Sequence, residues 1–189
     1  TGSDDGLIHL TQNDGADWKN VTPKGLGEVL INALEVSPHN PATAYAAVTN
    51  YKMGDLSPMV YITNDFGKTW KNKVNGIAKD DYVRVVREDT KQASVLYAGT
   101  ETGLYISFDN GDNWEKFQLN LPVCPILDLY IQDNDLIVAT SGRAFWILDD
   151  LSAIQQSKGQ LDQKMAIYQP KPTYKFNVNT PSSAPTGEG

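Results

Sequence analysis

An eight-residue phrase recurs three times in the chain, and it constrains the fold more than any other feature. Thr11-Gln12-Asn13-Asp14-Gly15-Ala16-Asp17-Trp18, Thr63-Asn64-Asp65-Phe66-Gly67-Lys68-Thr69-Trp70 and Ser107-Phe108-Asp109-Asn110-Gly111-Asp112-Asn113-Trp114 keep one frame: hydroxyl, x, Asp or Asn, x, Gly, x, x, Trp. Their first residues lie 52 and then 44 positions apart, close to the roughly 40–50 residues that separate successive propeller blades. Each copy reads as a β-hairpin tip. The short side chain of Asn13, Asp65 or Asp109 can bond backbone N–H groups two residues on. Gly15, Gly67 or Gly111 supplies a positive φ, and Trp18, Trp70 or Trp114 opens the returning strand by folding over the turn. β-formers such as Leu104-Tyr105-Ile106 precede the turn, so each copy joins two strands of one small sheet.

Counting outward from these turns gives an all-β chain, a propeller fragment of about three and a half four-stranded antiparallel blades in an open arc. The blades span about 1–22, 29–74, 80–119 and 125–168. Thr1-Gly2-Ser3-Asp4-Asp5-Gly6-Leu7-Ile8 matches Ala98-Gly99-Thr100-Glu101-Thr102-Gly103-Leu104-Tyr105, so the chain is expected to open in mid blade, with the inner strands of that blade upstream. In the second unit the strands are expected at 30–36, 43–49, 59–63 and 69–74, with Ser37-Pro38-His39-Asn40-Pro41 stopping the first because two prolines deny the ladder its donors. Residues 50–58 read as an inserted loop that accounts for the longer first spacing. The third unit reads as strands 82–88, 95–100, 104–108 and 114–119. The fourth, with strands at 125–131, 135–140 and 144–148, has no box. Leu151 to Gln156 there reads instead as one or two helical turns with Asp150 or Ser152 as N-cap. From 169 to 189 the Pro/Ser/Thr-rich composition reads as a linker, mobile toward its end.

Composition narrows the function. The formal charge is −7 with no basic block, which argues against nucleic acid or an anionic membrane as partner. No apolar run approaches the length of a membrane span. Cys124 is the only cysteine, can form no intramolecular disulfide, and reads as a buried inert thiol. His9 and His39 have no ligand-spaced companions, so no metal site and no cofactor is expected. Asn20-Val21-Thr22 fits a glycosylation acceptor, relevant only in a eukaryotic secretory host.

The three phrases resemble Asp-box (BNR) repeats. With them, the stretches Asp80 to Asp89, Leu96 to Glu101 and Gly142 to Asp150 resemble the bacterial sortilin-like BNR-repeat propeller family, often labelled glycosyl hydrolase, over residues 1 to about 175. The resemblance implies an exported protein, extracellular or periplasmic, in which the box is a structural turn. It also implies partners within a longer parent chain: the remaining propeller blades and a C-terminal β-sandwich, whose join Thr186-Gly187-Glu188-Gly189 resembles. Xyloglucanases and sialidases carry the same box with their chemistry elsewhere, so the turn does not transfer catalysis. The three arginines, Arg84, Arg87 and Arg143, come without the Arg-Ile-Pro signature of a sialidase.

Two functions stay open on the sequence. One is a binding or assembly lobe without chemistry of its own, taking a carbohydrate or protein ligand and able to self-associate through its open blade edges. The other is part of a glycoside hydrolase, which would need two carboxylates flanking a sugar bond. Aligned by the box offsets, Asn32, Arg84 and Asp128 fall at one position of three successive inner strands, the strands that line a propeller channel. With Asp81 and Arg143 nearby, they are the expected polar binding patch, and no catalytic residue is assigned.

Overall fold

The computed structural model describes residues 1–157 and 165–173, and in it strands pair almost entirely with their neighbours in sequence. The first sheet is β1 (His9–Leu10) with β2 (Lys19–Asn20). The second runs β3 (Leu30–Val36), β4 (Ala44–Asn50), β5 (Asp55–Thr63) and β6 (Lys71–Asn72). The third runs β7 (Val83–Glu88), β8 (Leu96–Thr100), β9 (Leu104–Ser107) and β10 (Glu115–Lys116). The fourth is β11 (Ile126–Gln132), β12 (Asp135–Thr140) and β13 (Phe145–Leu148), followed by α1 (Ser152–Ser157). All pairing is antiparallel. This is a partial β-propeller. Residues 174–189, including the Thr186 to Gly189 join, lie outside the described residues.

Alternation along each strand buries both faces, one against the preceding blade and one against the next. Between the second and third blades Tyr45, Ala47, Val60 and Ile62 meet Val83, Val86, Leu96, Ala98 and Tyr105. Between the third and fourth, Val85, Tyr97, Leu104 and Ile106 meet Ile126, Leu129, Leu136 and Val138, with Cys124 buried among them. Ile8 supplies the first blade's share of a third layer with Ile31, Ala46 and Val48.

The three box turns share one hydrogen-bond circuit. In the second, Thr63 Oγ1 donates to Asp65 Oδ1 (2.9 Å) and accepts from Gly67 N (3.0 Å), while Asp65 Oδ1 also accepts from Thr69 N (2.9 Å). Ser107, Asp109, Gly111 and Asn113 repeat it, as do Thr11, Asn13, Gly15 and Asp17. The two central residues are both left-handed, Phe66 at φ +60° and Gly67 at +76°. Only glycine serves at the second of these. A Cβ on Gly67 would stand 2.7 Å from Val21 Cβ, and one on Gly111 2.8 Å from Ile62 Cδ1. The tryptophans also reach out of their own hairpins: Trp70 Nε1 donates to Val21 O (2.7 Å) and Trp114 Nε1 to Lys73 O (3.0 Å), each in the preceding blade. The turn is thus a blade-to-blade docking element. Trp18 has no such acceptor among the described residues and is half exposed.

Two elements differ from the sequence reading. Residues 50–58 are not a free loop. The turn Tyr51–Met53, closed by Gly54 at φ +81°, carries the β4–β5 hairpin on, so that Asn50 pairs with Asp55. Pro58 falls in the irregular stretch between those pairs, where the ladder asks no donor of it. The fourth strands are only two residues long; in the second blade Asn72 Oδ1 takes over the ladder by accepting from Val60 N (2.9 Å). In the fourth blade α1 follows β13 directly, Asp150 Oδ1 accepting from Ser152 N (3.1 Å) as a cap. Leu151 is fully buried, and Gln155 Nε2 donates to Asp89 Oδ2 (3.1 Å) and Asn134 Oδ1 (2.9 Å), tying the helix to the third and fourth blades together.

Candidate functional site

The inner strands β3, β7 and β11 lie side by side, and each carries a β-bulge near its start. The extra residue is Asn32 in β3, Arg84 in β7 and Leu127 in β11. Asn32 and Arg84 are therefore structural equivalents, and Asn32 Nδ2 donates to the Arg84 carbonyl (2.6 Å). Asp128 is not the third member. The fourth blade has no box to carry the offset, and its bulge arrives one residue early, so Asp128 sits where Val85 sits in β7. The bulge also breaks strict alternation, which is why Val83 and Val86, three residues apart, pack on one face of the sheet while Val85 packs on the other.

Arg84 does not neutralise Asp128. Its Nε and Nη2 reach Glu101 Oε2 (2.8 and 2.7 Å), and Nη2 also donates to the Tyr82 hydroxyl (2.8 Å). Tyr82 donates in turn to Glu101 Oε2 (2.8 Å). The rings of Tyr51 and Tyr82 stack at 5.1 Å and 11°, and the guanidinium lies over both, 5.0 Å from Tyr82 and 5.7 Å from Tyr51. Burial and the Glu101 hydrogen bond push the Tyr82 hydroxyl up to about 12, so it is a neutral donor at ordinary pH. A cleft of about 360 Å³ opens beside Tyr51, lined by Leu30, Thr49, Asn50, Lys52 and Met53.

Asp128 belongs to a second cluster. Arg87 Nη2 donates to Asp128 Oδ1 (2.8 Å), Nη1 lies 3.5 Å from Glu35 Oε2, and Nε donates to the Leu129 carbonyl (2.9 Å). One arginine thereby ties the inner strands of three successive blades. Burial raises the Glu35 carboxyl above its ordinary value against the pull of Arg87, with Glu88 and Asp128 adding to the rise.

The remaining expected residues separate. Asp81 is buried and accepts from Thr100 Oγ1 (2.9 Å), Thr102 N (3.0 Å) and Thr102 Oγ1 (2.7 Å), which makes it a turn anchor with no free lone pair aimed at solvent. Arg143 is exposed on the β12–β13 turn, its carbonyl accepting from Trp146 Nε1 (2.8 Å), and it shares no ion pair with the other members among the described residues. Tyr51, Tyr82, Glu101, Glu35 and Arg87 were not singled out from the sequence. The available signal was the run Tyr82-Val83-Arg84-Val85-Val86-Arg87, two arginines and a tyrosine in an otherwise aliphatic strand.

Among the described residues no helix is long and apolar enough to cross a membrane. No family model matches the chain, and no curated protein does. Among solved structures it is similar to YCF48 bound to a D1 peptide, at 14% identity over 78% of this chain and 46% of that one, with a TM-score of 0.59. It is similar to the GH74 xyloglucanase from Xanthomonas campestris at 17% over 79% and 27%, with a TM-score of 0.58. An ancestral GH74 enzyme matches at 18% over 72% and 20%, with a TM-score of 0.53. The chain spans less than half of each of these three. At such identities the likeness concerns the propeller fold and leaves activity open.

Proposed function

We propose that the chain is a lobe of a larger, exported Asp-box propeller of the sortilin-like class, acting as a binding or assembly module without chemistry of its own. One observation carries this reading: four of the carboxylates near the inner strands are already engaged. Glu101 is held by Arg84 and Tyr82, Asp128 and Glu35 by Arg87, and Asp81 by two threonines. What is left there to meet a ligand is the Tyr51 ring in its cleft, which Asp4, Glu28 and Lys52 also line, and the outer side of the Arg84 guanidinium. An aromatic face next to a fixed cation suits a carbohydrate ring or an acidic or aromatic peptide side chain. The similar YCF48 structure holds a D1 peptide, which supports a protein ligand.

A glycoside hydrolase is the second reading, and a specific observation favours it. Glu35, its carboxyl raised by burial, and Asp128 flank Arg87, and two carboxyl groups set on either side of one site are what sugar hydrolysis needs. The two readings separate in one experiment. The chain is probed on an array of plant and host glycans and a peptide library, and is incubated with xyloglucan. The binding reading expects capture of at least one probe, weakened about tenfold or more by Tyr51→Ala or Arg84→Ala, and no new reducing ends. Reducing ends that vanish in Glu35→Gln and Asp128→Asn would establish the hydrolase instead.

A further inference from the structure

The seam between the first and second blades and the seam between the second and third are built on one frame, yet they differ in charge. In both, a box tryptophan donates to a carbonyl of the preceding blade, Trp70 to Val21 O and Trp114 to Lys73 O. Val21 and Lys73 are therefore equivalent, as are Lys68 and Asp112, the sixth residues of their boxes. The second seam is neutralised across its width: Lys73 Nζ lies 2.9 Å from Asp112 Oδ1 and donates to the Asn110 carbonyl (3.0 Å). At the first seam the sixth box residue is Lys68, and opposite it stands Val21. A groove of about 610 Å³ opens there, walled by β1, β2 and residues 21–24 on one side and by β5 and the second box on the other.

Lys19, Lys24 and Lys68 line this groove, all three exposed, and no Asp or Glu lines it. None of the three shares an ion pair among the described residues. In a chain of formal charge −7 they form a local concentration of positive charge. The carboxylate of the second box, Asp65, is held within its own turn by Thr63 and Thr69. Below the lysines the groove is apolar: Leu10, Tyr61 and Trp70 are partly buried in it, and Phe66 is 37% exposed. Few neutral groups are left to serve sugar hydroxyls. Thr22 Oγ1 already accepts from Ile8 N (2.9 Å), Asn20 Oδ1 from Thr22 N (2.9 Å), and Thr69 Oγ1 donates to Asp65 Oδ2 (2.6 Å). The Tyr61 hydroxyl, which burial keeps neutral, has no hydrogen-bond partner among the described residues.

We propose that this groove binds an acidic peptide segment, its apolar side chains set against Tyr61, Phe66 and Trp70 and its carboxylates against Lys19, Lys24 and Lys68. Such a segment meets both halves of the lining at once: apolar burial supplies affinity, and the lysines select the sign of the partner and steer its approach. The volume lies within the ~300–1,000 Å³ of ligand clefts. The groove shares no lining residue with the Tyr51 cleft, so it is a second site. The repeat itself offers a way to close it. Phe66→Asn and Lys68→Asp install the residues that the third box carries at the same two positions, Asn110 and Asp112. Asparagine also accepts the left-handed backbone there, as Asn110 does at φ +58°.

The test is fluorescence anisotropy of the whole chain with labelled probes: a decapeptide of glutamate alternating with leucine and phenylalanine, the same peptide with lysine for glutamate, and a short oligogalacturonate as an acidic glycan. The acidic peptide should bind with a dissociation constant of about 1–100 μM and weaken at least about tenfold between about 50 and about 500 mM salt, and the lysine peptide should not bind. Phe66→Asn/Lys68→Asp should weaken the acidic peptide at least about tenfold with the circular dichroism unchanged. Lys116→Glu, an exposed position on β10 outside the groove, should leave it bound as in wild type. If the double variant fails to fold, Lys19→Gln/Lys24→Gln takes its place with the same expected loss. Absence of binding at about 500 μM peptide, equal binding of the lysine peptide, or undiminished binding by the folded variants would overturn the proposal. An equal loss in Lys116→Glu would reduce the effect to general charge attraction, and a loss in Tyr51→Ala would move the peptide to the Tyr51 cleft; either result overturns it. Capture of the oligogalacturonate in place of the peptide would overturn it as well and give the groove to an acidic glycan.

Discussion

Truncating the three box tryptophans one at a time separates a local turn from a docking device, because the same sequence frame sits in three different surroundings. Trp114 is 3% exposed and its indole donates to the Lys73 carbonyl of the preceding blade. Trp114→Ala removes a buried aromatic, at about 3–5 kcal/mol, and leaves that carbonyl without its donor, at about 1 kcal/mol more. Trp114→Phe restores most of the area and loses the bond, so about 1–2 kcal/mol is expected of it. Trp70 makes the same bond to Val21 O from a partly buried position, and Trp70→Ala should cost about 2–3 kcal/mol. Trp18 has an intact box hydrogen-bond circuit but lies 52% exposed, with no acceptor for its indole among the described residues. Trp18→Ala should therefore stay below about 1 kcal/mol. Urea unfolding followed by far-ultraviolet circular dichroism measures all four variants, with the slopes compared to confirm that the unfolded state is unchanged. Equal costs at Trp18 and Trp114 would refute the docking argument and return the indole to a role within its own hairpin.

Gly111→Ala puts a Cβ 2.8 Å from Ile62 Cδ1 at φ +81°, whereas Gly54→Ala at the same φ meets nothing within 4 Å. The first should lose at least about 2 kcal/mol more than the second by the same urea assay. Hydrogen bonds from the Thr69 hydroxyl and Thr69 N hold the Asp65 carboxyl down at about 2. A depressed folded value contributes stability above the unfolded one, ~3.9. That contribution is lost as pH falls from about 4 toward about 2. Asp65→Asn, which imitates Asn13 of the first box, should flatten the pH profile in that window. A profile identical to wild type would count against the circuit. Arg87→Met strips the counter-charge from Glu35 and Asp128 and should cost about 2–3 kcal/mol at neutral pH. Glu35 already has a raised folded value, so its penalty appears as pH rises above the unfolded value near ~4.3. The cost of Arg87→Met should therefore shrink toward pH 4, and a pH-independent cost would show that Glu35 is not involved.

Most of the architecture was legible because its determinants are local and repeated. The box frame Thr63, Asp65, Gly67 defines a turn from hydrogen bonds within five residues, and any turn of this kind implies the strands on either side. The break in the pattern at Asp149-Asp150 likewise marked the place where α1 replaces a box. What the frame did not disclose was the reach of its own tryptophan. Trp70 finds its acceptor 49 residues away, and the reason that Gly67 must be glycine includes Val21, another blade's residue. The insertion misread as a loop failed for a related reason. Pro58 closes that stretch, and its missing N–H falls opposite a bulge, where it costs nothing.

The site was harder to read because a β-bulge is invisible to period-2 counting. One extra residue at Asn32, Arg84 and Leu127 shifts every later residue of its strand by half a repeat. Counting without it sends Asp128 into the Arg84 position and leaves Arg87 unremarked. With the bulge included, Glu35, Arg87 and Tyr130 become one position in three blades, and the chemistry of that position follows from what faces it. Glu35 faces the third blade and finds Arg87; Arg87 faces the fourth and finds Asp128. Tyr130 faces outward and finds nothing among the described residues, with Ile147 and Phe145 bare beside it. The same register that corrects the site thus fixes the Arg87 bridge, which a single displaced residue in β11 would undo.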